Sequence, residues 1–191
     1  MEFIGFAIAL AVAFQAMKGF TLTKERTLLY LNFSFLLLGA GLLVDGLAKL
    51  IVLLSRLHTH LFVSRIGYTI NFLAQLVAYI ILVVVYLQQT RVWNSELAVV
   101  ALPLMLLESS PFAELVLIFL LVYISAQTWI NYNISKTTNA LLVFSAFTSL
   151  ALSHIFFLLF TIAPIFFPLA HISQLFGFLL LLGMLFRVNQ T

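Results

Sequence analysis

The chain has 191 residues, 64% of them hydrophobic and only 8% charged, with a mean hydropathy of +1.19. Soluble domains carry about a quarter charged residues, so this composition predicts an all-α integral membrane protein, one membrane domain over 1–191, and no polar stretch is long enough for an appended catalytic, nucleotide-binding or signalling domain. The formal charge of +3 falls mostly at the ends of apolar runs, where basic residues set topology, so the expected partner is a lipid bilayer and no nucleic acid.

An α-helix rises about 1.5 Å per residue and the hydrocarbon core is about 30 Å thick, so an apolar run of about 20 residues reads as a span. The first run begins with Glu2 rather than a basic region and continues to about Phe20 without a small-residue cleavage site, which predicts a retained first span rather than a signal peptide. After the charged segment Leu22 to Thr27, the second span covers Leu28 to Leu54 and contains Asp45 and Lys49. Ser55 to His60 forms a turn, and Leu61 to Leu87 a third span. A fourth, short span is expected over Val92 to Leu107, interrupted by Pro103. Ser110-Pro111 then gives a helix start. The fifth span is Phe112 to Ile130, the polar loop Asn131 to Asn139 follows, and Leu141 to Ile162 and Phe166 to Phe186 are the sixth and seventh spans.

With seven spans, Lys18, Lys24, Arg26, Arg91, Lys136 and Arg187 share one side, while Lys49, Arg56 and Arg65 lie toward the other with Glu2, Glu108 and Glu114. The positive-inside rule then puts the N-terminus outside and the C-terminus in the cytoplasm, with the plasma membrane as the expected location.

Thr23-Lys24 and Ser135-Lys136 stand 112 residues apart, as do Gln15 and Gln127, and Phe33-Ser34 matches Phe144-Ser145 at 111. These matches predict a 3+1+3 parallel repeat: a three-helix half over 1–90, a connector over 91–111 and a second half over 112–191. The arrangement resembles that of the SWEET sugar transporters, in which two three-helix bundles are joined by one helix, although the proline-glutamine pair of the related PQ-loop carriers is absent. The resemblance concerns architecture and transfers no residue.

Polar groups within spans are the candidates for function, because hydrocarbon offers them no partner. Asp45 and Lys49 are one helical turn apart and can pair along one face, with Arg65 approaching Asp45 from the third span. Gly67, Asn71, Gln75 and Tyr79 recur every four residues and form a polar ladder on one helix face, serving either helix packing or a substrate or proton path. Tyr123, Gln127 and Asn131 repeat the spacing in the fifth span, and Ser145, Ser149 and Ser153 make a small-residue stripe in the sixth.

His154 and His171 flank Pro164 and differ in depth by about three residues, roughly 5 Å, so a hairpin could bring them face to face. Imidazoles suit haem b, copper or zinc, and because two ligands are too few for a metal site, His58, His60 or Asp45 would join them. The alternative is interhelical hydrogen bonding. The absence of cysteine excludes disulfides, thiolate sites and Fe–S clusters. No phosphate loop, nucleophile triad, zinc-protease motif or nucleotide fingerprint is present, so no catalytic residue is assigned and an enzyme acting on its own is not expected.

The leading expectation is a small carrier or sensor-type module that binds a solute or proton in an outward-facing polar cavity, with Asp45, Arg65, Asn71, Gln75 and Tyr79 along the path. A haem- or metal-binding redox subunit, or a structural subunit associated with other membrane subunits or with copies of itself, is the alternative.

Overall fold

The computed structural model describes residues 1–54, 60–89 and 111–190. The predicted fourth span over 92–107, His58 and Trp93 lie outside them. Among the described residues all regular structure is α-helical: α1 (Glu2–Thr23), α2 (Arg26–Leu54), α3 (His60–Gln89), α4 (Pro111–Ser135), α5 (Thr138–Leu159) and α6 (Phe166–Val188). The shortest has 22 residues, about 33 Å at 1.5 Å per residue, so all six are long and apolar enough to cross a membrane. Large apolar side chains such as Phe14, Leu53, Phe119 and Ile134 face outward, as lipid rather than water requires.

The helices are longer than the apolar runs, because the polar flanks keep winding. The predicted loop Leu22 to Thr27 shrinks to Lys24 and Glu25, and the predicted loop Asn131 to Asn139 shrinks to Lys136 and Thr137. Both turns are built alike. Lys24 (φ 60°) and Lys136 (φ 51°) adopt the left-handed conformation, and each donates its backbone N–H back to a helix carbonyl, Phe20 or Tyr132, at 2.8 Å. This satisfies a carbonyl that the helix end would otherwise leave open. Thr137 then caps α5, its hydroxyl accepting from the Ala140 N–H at 3.3 Å. At the other end α5 stops at Leu159, three residues before the predicted Ile162, where the chain turns ahead of Pro164.

Each helix packs on its sequence neighbour, and α1 closes the ring against α6. The closure carries a polar clasp, with Asn189 Nδ2 donating to the Gln15 backbone carbonyl at 3.0 Å and to Gln15 Oε1 at 2.8 Å. Across the ring the Phe35 and Phe178 rings meet edge to face at 5.4 Å. Helices α1, α3, α4 and α6 all begin at one end of the bundle, where α2 and α5 finish. Consequently α3 and α4 run parallel: Tyr68 near the start of α3 meets Glu114 near the start of α4. Tyr86, near the end of α3, instead packs on Phe147 in the first half of α5. Gln89 and Pro111 therefore stand at opposite ends of the bundle.

Glycine lets α2 and α3 approach closely enough to place their polar faces together. A Cβ on Gly67 would lie 2.5 Å from the Ala48 Cβ, and one on Gly41 would lie 2.8 Å from the Ala74 Cβ. Gly67→Ala should thus destabilise the protein by about 1–3 kcal/mol, the usual cost of overpacking. Gly183→Ala, whose Cβ would meet nothing within 4 Å, should not. Thermal unfolding in detergent distinguishes them, and equal midpoints would refute the close-packing account.

Candidate functional site

A cavity of about 440 Å³ opens at the end of the bundle where α1, α3, α4 and α6 begin. Every described helix contributes a polar side chain to it: Glu2 from α1, Asp45 and Lys49 from α2, Tyr68, Asn71 and Gln75 from α3, Glu114 from α4, His154 from α5, and His171 and Gln174 from α6. It thus brings together Asp45, Asn71, Gln75, His154 and His171 from the predicted set. The α3 ladder is divided. Gly67 packs on α2, Asn71 accepts from Gln75 at 3.2 Å on the cavity wall, and Tyr79 lies deeper, fully buried, with its hydroxyl 3.4 Å from His154 Nε2.

Arg65 lines an adjoining cleft with Asp45 rather than this cavity. It is two residues from Gly67, about 200° around the helix, so with Gly67 against α2 it is exposed and borders that cleft, which Lys49 and Tyr68 also line. Lys49, one turn along α2, takes Asp45 Oδ2 at 2.9 Å. His60 opens α3, but its side chain, like all of His58, lies outside the described residues. Of the other polar stripes, Asn131 is exposed, while Ser149 uses its carbonyl to accept from Ser173 of α6 at 2.8 Å.

Two acid-base pairs are built on the same plan. Glu2 in the first turn of α1 pairs with Lys49 near the end of α2, and Glu114 in the first turn of α4 pairs with His154 near the end of α5, Oε2 to Nδ1 at 2.7 Å. The two glutamates stand 112 residues apart, the offset already seen for the lysine turns. The pairs differ in chemistry. Lysine is a fixed cation near neutral pH, whereas histidine gains and loses its proton there. Tyr68 donates to Glu114 Oε1 at 3.4 Å, so the carboxylate is held from both sides.

His154 and His171 both line the cavity. The Phe157 ring stands against both, with centroids at 6.0 Å from His154 and 5.1 Å from His171, and Phe167 covers His171 at 4.6 Å. Among the described residues no three His, Cys, Asp or Glu side chains are grouped so as to hold a metal ion. Two buried polar atoms of cavity-lining residues, Asp45 Oδ1 and His171 Nε2, have no hydrogen-bond partner among the described residues.

Glu2, Tyr68, Glu114 and Gln174 are the cavity residues that sequence reasoning missed. The acids look like ordinary helix-start carboxylates, favourable to the helix dipole. The signal that could have found them is the 112-residue offset joining Glu2 to Glu114. Comparison with protein-family models, with curated proteins and with solved structures gives no match.

Proposed function

We propose that this membrane protein is a small carrier or sensor-type module that binds a solute in the cavity and couples binding to a proton on the Glu114–His154 pair. The observation that carries this reading is the convergence of three carboxylates, a lysine and two histidines on one cavity in an otherwise apolar bundle. Charges in a membrane helix are costly, by about 2.5–3.5 kcal/mol each at the bilayer centre, and packing alone has no use for so many.

In this reading the bundle has seven crossings. Parallel neighbours α3 and α4 need an odd number of crossings between them, which residues 90–110 would supply. The pattern is then 3+1+3: exchanging α1-α2-α3 for α4-α5-α6 maps the α1–α6 contact onto α4–α3, one glutamate onto the other, and one left-handed lysine onto the other. Lys18, Lys24, Arg26, Lys136 and Arg187 gather at the end away from the cavity, so the positive-inside rule turns the cavity outward, in a plasma membrane.

The absence of native cysteine makes the test clean. Thr161→Cys and Gln174→Cys, both on the cavity wall, should react in intact cells with a membrane-impermeant maleimide. Phe176→Cys, exposed on the outer face of α6, should stay unreactive in lipid. No labelling at Thr161→Cys and Gln174→Cys would defeat the proposal of an outward aqueous cavity.

A further inference from the structure

The charge of the cavity indicates what it holds. Its lining carries Glu2, Asp45 and Glu114 against the ammonium of Lys49, with two histidines that are neutral unless protonated. Lys49 spans Glu2 and Asp45, and the N-terminal ammonium joins Glu2 Oε2 at 3.3 Å, so Glu114 is the carboxylate left without a fixed cation. A carboxylate in a low-dielectric site is expensive unless a positive charge joins it. Two sources can supply that charge: a proton, taken up by the Glu114–His154 pair, or a cationic ligand.

Two wall residues have the matching chemistry. A carboxylate such as Asp45 offers only acceptors, and a neutral His171 ring offers one. A primary ammonium group brings three N–H donors on one positive centre. The rest of the wall is apolar and largely aromatic, with Leu42, Phe72, Leu117, Phe157, Phe160 and Phe167. Such a surface suits a hydrophobic body, and ring faces attract a cation. An anion would meet three carboxylates, and a neutral solute would leave the imbalance in place.

We propose that the cavity's occupant is a small primary organic ammonium ion with an apolar or aromatic body, and that it competes with a proton on the Glu114–His154 pair. This rests on the reading of the cavity as an outward solute site. The groups that face the pair are Tyr68 and Tyr79 of α3, and on the other cavity walls Glu2 of α1, Asp45 and Lys49 of α2, and His171 of α6. Of these only His171 is a second imidazole, and a proton on it would also add positive charge to the wall. Both histidines therefore act in one direction: lower pH weakens binding of a cation.

Isothermal titration calorimetry of the purified protein in an uncharged detergent, corrected with empty micelles, tests this with three probes of one shape: phenethylammonium, 2-phenylethanol and phenylacetate. The ammonium should bind at least about tenfold more tightly than either of the others, about 1.4 kcal/mol. Its affinity should fall between about pH 8 and about pH 5. Asp45→Asn should lower that affinity severalfold, and unaltered thermal unfolding would show that the variant is folded. Preference for phenylacetate, equal binding of the alcohol, or no binding by any probe overturns the proposal. Should the cavity cysteines label while the ammonium fails, the ligand class is wrong and the cavity reading stands; should they not label, the cavity reading itself falls.

Discussion

Glu114→Gln should remove most of the pH dependence of ammonium binding while leaving the helical fold in place. The substitution preserves shape, and the amide can still hydrogen-bond both His154 and Tyr68, which hold the carboxylate at 2.7 and 3.4 Å. What it removes is the negative charge that favours a proton on His154, a histidine only 2% exposed whose charged form has no nearer compensation. The cavity also loses one of its three carboxylates, and ammonium affinity at about pH 8 should drop about tenfold, about 1.4 kcal/mol. Glu2→Gln is the informative control. Its partner Lys49 does not titrate between about pH 5 and 8, so that variant should bind more weakly yet keep the wild-type pH slope. Calorimetry at both pH values reads the difference. An unchanged slope in Glu114→Gln, or the same slope loss in Glu2→Gln, would show that the proton resides elsewhere.

Much of the architecture was legible because bilayers impose simple rules. Runs of apolar residues fixed the six described helices to within a few residues at most ends, and the errors have one cause. Helices continue through polar flanks such as Asn131 to Ser135, where hydropathy falls but backbone hydrogen bonding does not, Ser135 itself donating to the Asn131 carbonyl at 2.9 Å. The i,i+4 spacing of Asp45 and Lys49 delivered their ion pair, and the four-residue ladder on α3 faces inward. Partners between helices were harder to read. Nothing local to Glu114 says that it meets His154 forty residues away; that depends on how α4 lies against α5. Arg65 shows the converse. Its charge and depth matched Asp45, but helical phase set it on the adjoining cleft the two share rather than on the main cavity, and phase could be settled only by knowing that Gly67 is the contact residue. Likewise depth placed the two histidines at a similar level, but it does not reveal that the Phe157 ring packs against both.

Lys49→Met should destabilise the protein by about 2 kcal/mol, and adding Asp45→Asn should restore at least half of that. Removing one member of a fully buried ion pair costs about 3–5 kcal/mol, because the other charge remains stranded. Here Asp45 is the stranded partner, with its side chain 6% exposed, while Lys49 is 45% exposed, so solvent screens part of the interaction and the effect is reduced. Methionine keeps the length and apolar stem of lysine, so packing along α2 changes little. The loss therefore reports charge rather than volume. Neutralising Asp45 removes the stranded charge and leaves only Glu2, which is more exposed at 14% and keeps the N-terminal ammonium at 3.3 Å. Thermal unfolding of the single and double variants yields the coupling between the two positions. Additive losses would mean that Lys49 and Asp45 contribute independently and that the ion pair is incidental. Ammonium binding separates the two roles of Asp45 further: a double variant that recovers its stability should still bind weakly, because the carboxylate that the proposed ligand needs is the group that was removed to relieve the strain.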